Sequence, residues 1–345
     1  MPDFQFPEGK GPGLPTGGHS GYPWAPSACH PPESFMRRDP VPVQKLLARA
    51  QHLLPHHALS RLAGLITGSR LPWVRRPLVR WFIHRYGVDL SEAAEPDPEA
   101  YASFQTFFTR RLRDGARPIC PSPEGLACPA DGTLSEAGTV PGGTAVQAKG
   151  ERHGLDALLG GSPGAADAFR DGRILTVYLS PRDYHRVHMP LAGRLRSMVH
   201  VPGRAFSVGP ATTAHIPGLF ARNERVVLRF DTEAGPMAVV LVGAMLVATI
   251  ATAWSGTVTP PRGRRVRQWT YPETGEGSVR LGKGDELGRF NLGSTVIVLL
   301  GRDRVAWHPD LTAGEPVAMG QCMGRVSGGV QEPGPVEPRA REKLR

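Results

Sequence analysis

The spacing of apolar positions changes character near residue 118. From Val41 to Gly87 it is helical. Val43, Leu46, Leu47 and Ala50 fall at i, i+3, i+4 and i+7, and Leu53 and Leu54 extend that face. Pro55 ends the predicted helix, because proline lacks the amide donor and its ring crowds the preceding turn. Leu59, Leu62, Ala63 and Ile66 predict a second, shorter helix closed by Gly68. A third is expected from Pro72 to Tyr86, with Trp73, Val74, Leu78, Trp81 and Phe82 interleaved with arginines. Asp89 to Pro98 is acidic and polar, as a connector would be. Phe104, Phe107 and Phe108 then lead into Thr109–Ile119, where a short helix ending near Gly115 is expected.

Beyond that point short apolar runs alternate with Gly and Pro turns, the pattern of a β-rich domain. Strands are predicted at Ile174–Leu179, Met198–Val201, Val226–Phe230 and Thr295–Leu300. Met237 to Trp254 carries no charge, a length that meets the minimum for a membrane-spanning helix. Its β-branched density, with Gly243, Thr249 and Thr252, predicts instead two buried strands bending near Gly243, so any membrane attachment is expected to be peripheral. The expected fold class is α+β, with N-terminal amphipathic helices followed by a β-rich catalytic domain of short, mostly antiparallel strands. The boundaries that follow are a Pro/Gly-rich disordered tail at 1–40, a basic helical region at 41–118, the β-rich domain at 119–330 and a polar tail at 331–345.

Charge sharpens this division. The net charge is +10. Between Pro40 and Val88 there is no Asp or Glu, while Lys45, Arg49, Arg61, Arg70, Arg75, Arg76, Arg80 and Arg85 all lie there. Basic and apolar residues together point to an anionic membrane surface, with a solvated face packed on the core as the plainer reading. No nucleic-acid-binding motif accompanies the charge. Arg262, Arg264, Arg265 and Arg267 either add to this field or form a solvated loop. Cys29, Cys120, Cys128 and Cys322 include no CxxC pair, which predicts no disulfide framework, no zinc site and a reducing, cytosol-facing location. The N-terminus lacks a basic-then-apolar leader pattern, which argues against export.

Three places carry candidate chemistry. Gly293-Ser294-Thr295 stands at the mouth of a strand, either a simple turn or a serine placed to attack the peptide bond before it. Asp131, in Pro129-Ala-Asp-Gly132, sits in a turn before a strand, either as an Asx-type turn or as a carboxylate that orients a histidine. His185 and His188, in Pro181-Arg-Asp-Tyr-His-Arg-Val-His-Met-Pro190, suit proton transfer near neutral pH. They would share a face on a helix but not on a strand. No third metal ligand is evident beside them, so no metal is expected. Asp131, one of the histidines and Ser294 are the residue types of a Ser-His-Asp triad, whose chain order is not fixed.

Over roughly residues 43 to 330 the chain resembles the membrane-associated bacterial phosphatidylserine decarboxylase proenzymes. The resemblance rests on Phe107-Phe-Thr-Arg-Arg-Leu-Arg-Asp-Gly-Ala-Arg-Pro-Ile119, Pro129–Gly132, the Pro181–Pro190 block, Phe206-Ser-Val208, Asn223-Glu-Arg225, Val242-Gly-Ala244 and Lys283-Gly-Asp-Glu-Leu-Gly-Arg-Phe-Asn-Leu-Gly-Ser-Thr295. The Pro/Gly-rich N-terminal extension and the polar segment after about Gly328 depart from it without touching these motifs.

The resemblance implies self-cleavage between Gly293 and Ser294. Ser294 would be converted to a pyruvoyl cofactor, with His188 and Asp131 as the triad partners of the attacking serine. Chains 1–293 and 294–345 would form a heterodimer, itself a candidate for further homo-oligomerisation. The same resemblance implies decarboxylation of phosphatidylserine to phosphatidylethanolamine and CO2 through a Schiff base, with His185 assisting decarboxylation or reprotonation. It places the enzyme peripherally on the cytoplasmic side of the cell membrane. A serine hydrolase that uses the triad without self-processing, and a non-enzymatic lipid-binding surface protein, are the alternatives.

Overall fold

A computed structural model of the protein describes residues 51, 56–148, 151–161, 164–244, 249–259, 265–291 and 293–327. All fall in the compact unit Val41–Arg345. The tail predicted at 1–40, the polar C-terminal tail, the predicted helix over Val43–Leu54 apart from Gln51, and Arg262 and Arg264 lie outside the described residues.

One apolar strand organises the rest. Ser294–Leu300 is buried at every position, so its β-branched residues run on continuously instead of alternating with polar ones. It pairs antiparallel with Gly235–Gly243 on one side and Arg173–Leu179 on the other. The sheet continues from Gly235–Gly243 through Arg225–Thr232 and Gly193–Val201 to Arg267–Thr270, and from Arg173–Leu179 through Gly132–Thr139 to Pro316–Val317. Its neighbours along this order are all antiparallel. A second sheet runs Gly256–Thr257, Ile250–Thr252, Glu286–Phe290, Arg186–His188, and a third runs Gly125–Ala127, Cys322–Val326, Val305–Trp307. Each strand predicted from sequence is present within a few residues of its expected ends. The charge-free Met237–Trp254 run does divide into two strands, the first ending at Gly243 and the second spanning Ile250–Thr252. Among the described residues no helix is long and apolar enough to cross a membrane.

Helices precede this β-rich domain, and the chain is α+β. His56–Thr67 and Pro72–Tyr86 stand where the periodicity placed them. Pro72 opens the latter in the first turn, where its missing amide costs nothing. Gly87 ends it at φ 63°, a left-handed conformation that a side chain would strain, and its amide bonds the Ile83 carbonyl. Val79 and Phe82 pack with Tyr101, Phe104, Phe107 and Phe108 in a separate aromatic cluster. The Phe82 ring lies 4.9–6.1 Å from those of Phe104, Phe107 and Phe108, all near edge-to-face.

Two expectations are corrected. The helix expected over Thr109–Ile119 lies upstream instead, at Phe104–Phe108. Ser103 caps its start reciprocally with Thr106, and the chain leaves the helix at Thr109. Arg110 is then buried, donating to the Arg182 carbonyl at 2.9 Å, and Leu112 bridges to Ala93. A tertiary contact of one arginine thus overrides the local pattern. The second correction is a disulfide between Cys120 and Cys322, whose Cα atoms are 5.0 Å apart. The third sheet returns the C-terminal segment along Gly125–Ala127, pairing Ala127 with Cys322, while the Cys120 amide bonds the Gly320 carbonyl at 2.7 Å. A separation of 202 residues hides that meeting from any local spacing rule.

The aromatic cluster is expected to anchor the helices to the rest of the unit. Phe107→Ala should lower the free energy of unfolding by about 3–5 kcal/mol, read by urea denaturation. A loss below about 1 kcal/mol would show that the cluster is not a packed core.

Candidate active site

Register brings the chemistry to one end of the large sheet. Thr133 pairs with Tyr178, and Tyr178 with Thr295. Leu179 pairs with Ser294, and Ser294 with Gly243. Asp131 immediately precedes this strand end and so lies two strands from Ser294, about 10 Å across the sheet at normal strand spacing. Gly132 is required here by close approach, since a Cβ at that position would fall 2.2 Å from the Tyr178 carbonyl oxygen. Asn223 secures the other flank. Its side-chain amide donates to the carbonyls of Gly243 (2.8 Å) and Phe206 (2.9 Å), and its Oδ1 accepts the Phe206 amide at 3.0 Å.

The histidine loop departs from the same end. The Asp183 carboxylate accepts the Ser180 amide at 2.6 Å, closing the turn that follows Leu179. His185 lies in this loop and His188 on the strand Arg186–His188, so they share no helical face. Each is tied to a neighbouring motif through its backbone. The His188 amide donates to the Pro129 carbonyl at 2.8 Å, two residues before Asp131. The His185 carbonyl accepts from the Phe290 amide at 3.1 Å, shortly before Ser294.

The two rings share a tautomer for the same reason. His185 Nδ1 faces the Asp183 carbonyl at 2.8 Å, and His188 Nδ1 faces the Gly284 carbonyl at 2.8 Å. A carbonyl only accepts, so each Nδ1 carries the proton and each Nε2 presents a lone pair. His188 Nε2 accepts the Tyr184 hydroxyl at 3.0 Å. His185 Nε2 is buried without a partner among the described residues, and the ring packs 4.0 Å from that of Phe108. Burial pushes the His185 pKa down to about 3 and also lowers that of His188, against the hydrogen bond to Gly284. Both are therefore neutral bases at physiological pH. Burial likewise pushes the Tyr184 hydroxyl up to about 12 and raises Asp183 above its ordinary value.

Ser294 is fully buried, and its hydroxyl has no hydrogen-bond partner among the described residues; the Thr295 hydroxyl beside it is in the same condition. Gly293 has open space where a Cβ would stand and no left-handed φ.

Asp131 is clamped elsewhere. Arg117 Nε and Nη2 donate to its carboxylate at 3.0 and 2.7 Å, and the Met319 amide donates at 2.8 Å. Arg117 also pairs with Glu92 at 2.8 Å. The structure therefore gathers Asp131, His185, His188 and Ser294 around one sheet end, but no hydrogen bond joins Asp131, His188 and Ser294 to each other. Arg117 and Tyr184, which hold these groups, were not singled out from sequence, although both lie inside the motif blocks quoted above.

A cavity of about 390 Å³ opens nearby, lined by Tyr101, Gln105, Thr106, Arg110, Arg111, Arg186, Arg289 and Asn291 among others. Its lining is cationic. Arg186 is matched by Glu286 at 2.5 Å, whereas the buried Nε and Nη1 of Arg110 have no partner among the described residues. Asn291, on the approach to Gly293, bonds Thr249 through both its backbone and its side chain.

The family model for phosphatidylserine decarboxylase matches residues 104–325, and a second model, described as PSD, matches residues 46–87. The chain belongs to the phosphatidylserine decarboxylase family. A phosphatidylserine decarboxylase proenzyme from Pseudomonas fluorescens is 54% identical over 81% of this chain and 97% of its own length. Proteins of the same name from Pseudomonas aeruginosa (54% identity; 81% and 96% covered) and Azotobacter vinelandii (52%; 82% and 99%) are similar to it as well. Every motif block named from sequence, from Phe107 to Thr295, falls inside the residues matched by the family model.

The buried histidines set a pH dependence. An unfolded histidine binds a proton near pH 6.5, whereas folded His185 resists it down to about 3. The unfolded state thus holds more protons in that window, and stability must fall as pH drops below about 6.5, by up to about 1.4 kcal/mol per unit from this residue. His185→Gln should flatten the slope of unfolding free energy between pH 7 and 5 relative to the parent. An unchanged slope would show that His185 is not held neutral.

Proposed function

We propose that this protein processes itself at Gly293–Ser294 and then converts phosphatidylserine to phosphatidylethanolamine and CO2. The observation that carries the proposal is the Ser294 hydroxyl. It is buried and, among the described residues, unpartnered, directly after a glycine with open space where a side chain would stand, at the sheet end that also holds Asp131 and both histidines. In the processing step Ser294 Oγ attacks the Gly293 carbonyl carbon and the peptide becomes an ester. β-Elimination frees the carboxylate of residues 1–293, and hydrolysis of the resulting imine releases ammonia. The new N-terminus at 294 is then a pyruvoyl group. His188 is the proposed base for the serine proton, through the Nε2 lone pair that Tyr184 now occupies.

The pyruvoyl group supplies a carbonyl electron sink that no side chain offers. The site fits it, since the Ser294 Cα that would carry the keto oxygen delivered by water stands at the buried start of a strand held on both sides. His185 Nε2, neutral and shielded by Phe108, is the proposed proton carrier on the decarboxylation step. The cationic cavity beside Asn291 suits a phosphodiester and a carboxylate, with Arg110 retaining unfilled donors. A serine hydrolase finds less support here, because Ser294 is sealed in the core and the relatives are named proenzymes. A merely lipid-binding protein would have no use for the buried base.

The helices provide a surface for peripheral attachment. Leu65, Trp73 and Trp81 are 75%, 74% and 55% exposed, far more than such side chains normally are. Arg76 and Arg80 lean on Glu99 and Arg75 bonds the carbonyls of Glu99 and Tyr101, so only part of the basic charge faces outward. Aromatic exposure next to the remaining arginines fits an anionic lipid interface.

Ser294→Ala should remain one chain on denaturing electrophoresis and release no CO2 from phosphatidylserine; a second chain in that variant would refute the assignment. The double change Trp73→Ala and Trp81→Ala should weaken co-sedimentation with phosphatidylserine-containing vesicles on the order of tenfold, leaving self-cleavage intact. Unaltered sedimentation would remove these tryptophans from the membrane face.

A further inference from the structure

The disulfide and the proposed cleavage point stand in an order along the chain that has a chemical consequence. Cys120 precedes Gly293 and Cys322 follows it, so cutting between Gly293 and Ser294 puts the two sulfurs on different polypeptides. We propose that the Cys120–Cys322 bond is a covalent staple between the two chains of the mature enzyme. The inference rests on the processing reading above and adds the linkage to it.

The surroundings are built for the bond. Cys120 is 4% exposed, and its Sγ is roofed by the turn at Gly125, where a Cβ would fall 2.3 Å from that sulfur. Backbone bonds lock the partner segment on both sides. Besides the Cys120 amide on Gly320, the Gly320 amide donates to the Cys128 carbonyl at 2.9 Å and the Cys128 amide to the Gln321 carbonyl at 2.7 Å. Cys322 lies at the exposed side of the pair, open to exchange reagents, while Cys128 is buried as a free thiol. Forming the bond removes two protons and two electrons from the thiols. A disulfide donor of the thiol-exchange class accepts them and becomes a dithiol.

The staple also sits beside the site. Met319, three residues before Cys322, gives its amide to Asp131. Residues 319–322 would belong to the C-terminal chain and Asp131 to the N-terminal one. The bond therefore fixes the segment through which the C-terminal chain holds that carboxylate. It also makes separation of the chains impossible without reduction.

The test uses full-length protein, with thiols blocked by N-ethylmaleimide at lysis and masses read with and without reductant. The expected result is one species of combined mass that splits into residues 1–293 and 294–345 on reduction. Cys322→Ser should give the two chains without reductant, and Cys128→Ser should leave them joined. In urea, gel filtration should keep the parent chains together and separate those of Cys322→Ser. Two unlinked chains from the parent, alkylated at Cys120 and Cys322, would overturn the proposal. A single mass unchanged by reductant would overturn the processing reading and the interchain link with it. In that case the number of thiols alkylated before and after reduction would still report whether Cys120 and Cys322 are bonded.

Discussion

The strand Ser294–Leu300 is paired along its whole length on both sides, and the site depends on this. Its side chains are withdrawn from water, each large one contributing about 1.5–3 kcal/mol on burial, and its amides and carbonyls are used by two neighbouring strands. Cutting the peptide before Ser294 breaks none of these bonds. Pulling the strand out would expose two unpaired sheet edges and an apolar ribbon together, which no modest gain in chain entropy offsets. A new N-terminus created at 294 therefore stays where the uncut chain put it. This is the condition a backbone-derived cofactor needs, because the group must form and act in one place.

The same burial sets the state of the bases. Both imidazoles give Nδ1–H to a carbonyl and are kept neutral by desolvation. Leaving His185 Nε2, Ser294 Oγ and Thr295 Oγ1 unpartnered costs about 1–3 kcal/mol each. A fold selected for stability alone would fill those positions with apolar groups or give them partners. Their occurrence in the motif segments that meet at this sheet end is the pattern of a site that exchanges stability for chemistry.

Much of this is legible in the sequence, and the exceptions share a cause. Once the two predicted strands of Met237–Trp254 are resolved at Gly243, periodicity finds the strands on either side of Ser294 as well as the Pro72–Tyr86 helix. It misplaced the helix after Ser103, because capping by Thr106 and burial of Arg110 act across the local pattern. It also missed the disulfide, which depends on strands far apart in sequence meeting in the third sheet. The motif blocks named Asp131, His185, His188 and Ser294. They carried no sign that Arg117 and the Met319 amide hold Asp131, or that Tyr184 holds His188, since hydrogen-bond partners are chosen by the fold and not by spacing.

Those partners change what Asp131 can do. A carboxylate offers about four lone-pair sites, and Arg117 and Met319 already engage three donors on it. His188 has committed its Nδ1–H to Gly284, so orientation by Asp131 through a hydrogen bond is not how this arrangement works. What remains is charge. Burial and the Arg186 guanidinium oppose the protonated form of His188, while the hydrogen bond to Gly284, then Glu286 and last Asp131 favour it, and the balance leaves its pKa lowered. In the proposed processing step an imidazolium at His188 would be stabilised through space by carboxylates that are themselves anchored, Asp131 by Arg117 and Glu286 by Arg186, with the Arg186 guanidinium offsetting part of that support. Because those anchors are fixed before the proton moves, the stabilisation needs no reorganisation at the moment of transfer, and in a buried site it is worth more than the same charges would be in water.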